Sequence, residues 1–445
     1  MSISIKPTSW FSFSFTFIIF SGLFLTAAAR CQDWPQWQGP NRDGVWDEEG
    51  IIDTIPEAGL QPLWRTEISG GYAGPAVADG KVYVSDYVRE AGDPRPSAGK
   101  RSELQGQERL SCLDSTDGEL IWRKEFPCDY NFSYAAGPRA TPTIQDGMVY
   151  LLGAEGDLRC LDAKSGKDVW HKDLKSAYGI ELSPMWGYAA HPLVVDDTLY
   201  CLAGGEGSVV VALDKLTGEE KWKALTASEP GYCPPTMIEA GGTRQLIVWH
   251  PESLNSLNPE TGEVYWSFPM EPAYKMSIVA PVHHNGFLYA TALQGTSILL
   301  KLDDRTPTAS EVWRGKGVHP DHNPPLLVDG HIYGVDEKGQ IRCFELESGE
   351  KLWESWAAAT NNRPANSTTG FIVKNGEQFF IATEQGELIL ARMTPQGYEE
   401  RGRFKMLEAT SPTSNREVVW SHPAFSNQCV FARNDNEIVC YSLKK

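Results

Sequence analysis

Cys112-Leu-Asp-Ser-Thr-Asp-Gly-Glu-Leu-Ile-Trp122 and Cys160-Leu-Asp-Ala-Lys-Ser-Gly-Lys-Asp-Val-Trp170 are one phrase written twice: an acidic residue, a Gly four positions on, and a Trp four beyond that. Asp214/Gly218/Trp222, Asn258/Gly262/Trp266 and Glu345/Gly349/Trp353 keep both intervals, and a degenerate sixth copy ends at Trp313. Upstream of each copy runs a second phrase, as in Pro75-Ala-Val-Ala-Asp-Gly-Lys-Val-Tyr83 and Pro142-Thr-Ile-Gln-Asp-Gly-Met-Val-Tyr150. The others start at Pro192, Pro235, Pro281, Pro325 and Pro423, with Ser367 to Phe380 as a variant. Asp-Gly between two short apolar runs predicts a hairpin, because the turn needs the positive φ that Gly adopts cheaply.

Each unit of roughly 40 to 60 residues therefore reads as four antiparallel strands, the size of a propeller blade rather than of a helical repeat. The inner-strand phrases begin near residues 74, 141, 191, 234, 280, 324, 367 and 422, which makes eight blades. The last unit stops after Cys440-Tyr-Ser-Leu443 without its Trp strand, while an orphan strand, Pro62-Leu-Trp64-Arg-Thr-Glu-Ile68, precedes the first inner strand. Pairing the two closes the ring and removes an open sheet edge. In the seventh unit Phe404 stands where Trp is expected.

The rest of the composition agrees with an all-β repeat protein. With 41 Gly, 15 Trp and 22% charged residues in 445, the chain is neither disordered nor a helical bundle. Its 58 acidic against 40 basic residues give a formal charge of −18, which argues against nucleic acid as a partner. Residues 11–25 are apolar and uncharged, follow Lys6 and lead into Thr26-Ala27-Ala28-Ala29. This is the pattern of a secretory signal peptide cleaved after Ala29, leaving no transmembrane span. The expected organisation is a signal peptide at 1–29, an aromatic leader at 30–59 that packs on the disc, and a single propeller at 60–445, exported to the periplasm or the extracellular space as a monomer. Of the nine cysteines, Cys112, Cys160, Cys343 and Cys440 hold the same position in different units, so they read as small buried hydrophobes.

The five units, each an acidic residue or Asn followed by Gly and Trp at four-residue intervals, resemble the Asp-x-x-Thr-Gly-x-x-x-Trp tryptophan-docking motif of the pyrroloquinoline-quinone (PQQ) repeat propellers. That family includes quinoprotein dehydrogenases and exported bacterial members related to the outer-membrane assembly lipoprotein BamB. The resemblance covers residues from about 60 to 445. The leader Asp33-Trp-Pro-Gln-Trp-Gln-Gly-Pro-Asn-Arg-Asp-Gly44 is similar to one seen in a large group of exported members. It implies an eight-bladed ring in which each motif Trp packs between neighbouring blades.

Function then falls to residues that differ between blades. The loops from an outer strand to the next inner strand open onto one mouth of the channel. They hold Tyr72, Arg139, Trp186, Tyr188, His191, Tyr232 and Lys275 in the first half of the ring. His319, His322, Asn323, Arg363, Asn366, Trp420 and His422 follow in the second half. Such a polar and aromatic set suits a planar or sugar-like ligand. His191, His322 and His422 stand on separate blades without an acidic neighbour in their phrase, so no metal site is expected. The resemblance leaves two readings. The expected one is a non-catalytic binding or assembly scaffold with no cofactor, holding an envelope protein or a small polar or saccharide ligand at the channel mouth or disc face. The alternative is a quinoprotein dehydrogenase that oxidises an alcohol or sugar with PQQ and Ca²⁺. Against the alternative, no adjacent cysteines occur, and Asn323 and Asn366 are too few oxygen ligands for Ca²⁺.

Overall fold

The structure, a computed structural model, describes residues 1–4, 32–95, 99–358, 363–413 and 415–445. The chain divides into a unit of Met1–Arg30 and a compact unit of Cys31–Lys445. The expected signal peptide lies almost wholly outside the described residues. No helix among the described residues is long and apolar enough to cross a membrane.

Eight antiparallel blades built on four strands each, in chain order except in the last, make up the second unit, with a small two-stranded sheet of Ser411–Pro412 and Glu417–Val418 beside them. The first blade, for example, runs Ala76–Ala78, Lys81–Ala91, Ser102–Asp114 and Leu120–Pro127, with Tyr130–Phe132 added beside its long third strand. The eighth consists of Ala424–Ser426, Cys429–Arg433 and Glu437–Ser442, and its outer strand is Pro62–Glu67 from the other end of the chain. Trp64 lies opposite Cys440 in that pairing. The eight-bladed, all-β architecture and its closure are therefore those read from the repeats.

The repeated phrase can now be explained atom by atom. Asp162 accepts from the Ser165 amide at 2.7 Å, and Gly166 N–H donates to the Asp162 carbonyl at 2.8 Å, so acidic residue and Gly together make the turn before the outer strand. Gly166 has φ +67°, and a Cβ there would lie 2.7 Å from the Trp122 ring of the preceding blade. Trp122 meanwhile donates its indole N–H to the Ala163 carbonyl at 3.1 Å. The same triangle recurs for Trp64 on Gly118, Trp170 on Gly218 and Trp222 on Gly262. Trp266 departs from it, because the next turn, Asp303 to Thr308, contains no Gly, and its indole donates to Gln245 instead. Phe404 is buried and stacks edge-on against Tyr441 of blade eight, 4.9 Å between centroids.

The leader does more than lie on the disc. Trp34 exchanges backbone hydrogen bonds with Val77 of blade one, Pro35 accepts from Ile144 of blade two, and Trp46 donates to Lys374 of blade seven. Arg42 donates to the carbonyls of His191 and Pro192 at the start of blade three, and Gln38 donates to Asn323 beside blade six. Asp33 bonds the Asp79 turn and Glu48 bonds Asn427 and Gln428, all at the turn ends of inner strands. Residues 33–48 thus cross the channel at the end opposite the entry loops.

Candidate functional site

At the entry-loop end the channel widens into a cup of about 760 Å³. All eight entry regions contribute to it, because each outer strand must return to the axis there before the next inner strand begins. Its lining includes Tyr72, Arg139, Trp186, His191, Tyr232, Lys275, His322, Trp420 and His422 from the set picked out in the sequence.

Five others of that set lie elsewhere, among them His319, whose ring bonds the Ser297 hydroxyl, and the exposed Asn366, whose side chain accepts from Lys338. Tyr188 is turned into the core against Gly156, and its hydroxyl donates to the Ala203 carbonyl at 3.0 Å. Asn323 is buried with its amide committed to Gln38, Pro324 and Gly370. Arg363 is exposed and outside the lining. Conversely, Trp37, Tyr134, Glu229, Tyr274, Asp321 and Phe371 line the cup without having been singled out. Tyr134 shares a loop with Arg139 and Asp321 sits beside His322, so proximity in sequence was the available clue. Nothing local in the leader marks Trp37.

The base is formed around two histidines from blades that are far apart in the chain. The ring centroids of His191 and His422 are 5.7 Å apart, at 87°. Thr141 holds both: its amide donates to His191 Nδ1 at 2.8 Å, and its hydroxyl bonds His422 Nε2 at 2.8 Å. Burial is the main cause that keeps both rings neutral, pulling His422 down to about 3 and His191 well below its ordinary value, where His422 and Arg42 add to the effect. Accepting at Nδ1 leaves the neutral His191 ring with its proton on Nε2. Trp37 stacks on the same ring, 4.9 Å away.

On one wall Arg139 donates to the carbonyls of Gly137, Ser133 and Tyr134 at 2.8, 3.0 and 2.5 Å. Its guanidinium lies over Tyr72 and Phe132, 5.2 and 4.6 Å from their centroids. Burial pushes its pKa down, and no carboxylate among the described residues forms an ion pair with it. Trp420 joins the walls, with Tyr72 and Tyr134 both 6.0 Å and His322 4.8 Å from its ring.

Ca²⁺ with PQQ does not fit this arrangement. A hard cation takes six to eight oxygens. The described residues contain no group of three or more metal-ligating side chains, and Asn323 is already committed.

The family model described as outer membrane protein assembly factor BamB matches residues 106–243 and 250–445, well over half of the chain. The protein belongs to this BamB family. It is 24% identical over 208 residues to the outer membrane protein assembly factor BamB of Yersinia pestis, covering 44% of this chain and 48% of that one. Against BamB of Burkholderia pseudomallei (strain K96243) it is 24% identical over 310 residues, 68% of this chain and 61% of the relative. The chain thus spans about half to three fifths of the length of these BamB relatives. Among solved structures it is similar in fold to BamB from Moraxella catarrhalis, with TM-score 0.54, 16% identity and coverage of 85% and 97%. A europium-containing methanol dehydrogenase gives TM-score 0.62 at 12% identity, with coverage of 92% and 98%. BamB-family membership and the quinoprotein-like ring are thus both present, and at these identities the structural likeness carries the fold alone.

Proposed function

We propose that this BamB-family protein is an exported, non-catalytic scaffold of the cell envelope whose cup receives a small ligand or a short segment of a partner. The observation that carries this reading is the cup itself: an aromatic cavity of about 760 Å³ whose base includes Trp37 of the leader and two neutral histidines. Concave, mostly apolar sites with a few fixed polar groups are the usual form of a binding site. Family membership supports the envelope and assembly context. The dehydrogenase reading lacks a calcium set.

The test is photo-crosslinking in the native envelope from a benzophenone amino acid placed at Trp186, with Lys221 on an outer strand as control. Adducts from the cup position and none from the control are expected. Saturable binding of PQQ plus Ca²⁺ with dye-linked oxidation of an alcohol, lost in Asp321→Asn, would overturn the proposal.

A further inference from the structure

The cup contains two charges without counter-charges, opposite in sign: Asp321 is buried and Arg139 half-buried. Arg139 comes from the loop entering blade two, and Asp321 from the loop entering blade six, across an eight-membered ring. Arg139 is held in place by three carbonyls and two aromatic faces, none of which cancels its charge. Asp321 is 2% exposed, and its carboxylate has no hydrogen bond or ion pair among the described residues. Its Oδ1 is sealed off, which leaves Oδ2 as the oxygen within reach of the cavity. A charge withdrawn from water without a counter-charge is costly, so two of opposite sign on one cavity describe the ligand that relieves both.

We propose that the cup binds a zwitterion of short-peptide size, its carboxylate at Arg139, its ammonium group at Asp321, and its middle against the aromatic wall. The inference rests on the cup being the ligand site. The wall bounds the length. Arg139 to Tyr72, Tyr72 to Trp420 and Trp420 to His322 are steps of 5.2, 6.0 and 4.8 Å, and Asp321 adjoins His322. This bent path is an upper limit on the span, and a peptide of three or four residues at about 3.3–3.6 Å each falls within it.

Other ligand classes leave one charge or both unanswered. A neutral sugar satisfies neither charge, a planar anion meets the Asp321 carboxylate, and a simple cation faces Arg139. The other charged groups in the lining reach water: Lys275 is exposed and donates to Ser228 at 3.1 Å, and Glu229 is half-buried and accepts from the Tyr232 hydroxyl at 3.2 Å, so solvent screens both. His191 and His422 add hydrogen-bonding groups to the base without adding charge.

The test is calorimetric titration of the full chain with the tripeptide Ala-Tyr-Ala, its N-acetyl form and its C-terminal amide. Nile red, an uncharged dye, serves in parallel as a reporter of the cup. The free tripeptide is expected to bind one per chain, and either cap to weaken it at least tenfold. Asp321→Asn should abolish the penalty of acetylation, and Arg139→Gln that of amidation. The wild-type cap comparison and Asp321→Asn require no change at Arg139, whose loss also removes three hydrogen bonds. Equal binding of free and capped peptides overturns the proposal. Failure of the tripeptide while Nile red binds and is lost in Trp186→Ala also overturns it, but leaves the cup as a ligand site. If neither probe binds, both readings fall.

Discussion

Trp37 lies nearly parallel to His191, 4.9 Å between centroids and 15° between planes. One residue belongs to the leader and the other to the loop entering blade three, so this stack joins the segment that crosses the channel to the base of the cup. Trp37 is 5% exposed and belongs to the same buried apolar cluster as Cys233 and Ile247 of the fourth-blade region. Trp37→Ala is expected to destabilise the protein by about 3–5 kcal/mol, the usual cost of emptying a buried large aromatic site. A urea titration reads this as a lower midpoint with unchanged slope. A loss under about 1 kcal/mol would mean that the leader is a dispensable cover.

The base is also sensitive to acid through its second histidine. His422 is held down to about 3 against an ordinary 6.5, chiefly by burial, so the unfolded chain takes up a proton that the folded one refuses. Its contribution is present above about pH 6.5 and is lost as the pH falls toward 3. His422→Gln retains an amide that can bond Thr141 and removes the titration. Stability measured from pH 7 to 4 should decline less steeply in this variant than in wild type, and parallel curves would contradict the assignment.

Glu108 has the opposite sign. It is 3% exposed, accepts from the Tyr130 hydroxyl at 2.7 Å and the Ala154 amide at 2.8 Å, and lies near Asp157 and Glu155. Burial, with the neighbouring carboxylates adding to it, lifts its pKa from 4.5 to about 7. The folded state therefore keeps this proton longer than the unfolded state does. Stability from this group is complete below about pH 4.5 and is lost as the pH rises to 7, on the order of 3 kcal/mol in all. Glu108→Gln keeps both hydrogen bonds and should raise the melting temperature at pH 8 while changing it little at pH 4.5. A lower melting temperature at pH 8 would show that the charged form is the one the site prefers.

These groups also show where sequence reading stops. The ring was legible because each blade repeats a local device, an acidic turn residue, Gly and Trp, whose spacing is set by one strand and one turn. Even the closing strand could be read, since Pro62–Glu67 carries the Trp that the last unit lacks. Much of the cup wall was legible too, because entry loops are fixed by where the inner strands begin. Tyr188 shows the limit: one position along a loop decides whether a ring faces the axis or packs on Gly156. His191 and His422 meet at the axis although blades three and eight are far apart in the chain, a closeness that depends on channel width. The contacts of Trp37 and the unpaired state of Asp321 depend on residues hundreds of positions away, and no local pattern encodes them.

The repeated Gly offers a test of what holds the blades together. Gly147 and Gly166 both have positive φ, +75° and +67°, but a Cβ at Gly147 meets nothing within 4 Å whereas one at Gly166 meets the Trp122 ring at 2.7 Å. Gly147→Ala therefore carries only the backbone strain of a left-handed residue, about 1–2 kcal/mol. Gly166→Ala carries that strain and must also displace an indole that is hydrogen-bonded to Ala163. It should cost clearly more than Gly147→Ala in chemical denaturation. Combining Gly166→Ala with Trp122→Ala should cost less than the sum of the two single changes, because once the ring is gone the methyl group has nothing to strike. Equal costs for the two glycines, or strict additivity in the pair, would mean that the Gly is required by the turn alone and that the Trp contact contributes nothing to its place in the repeat.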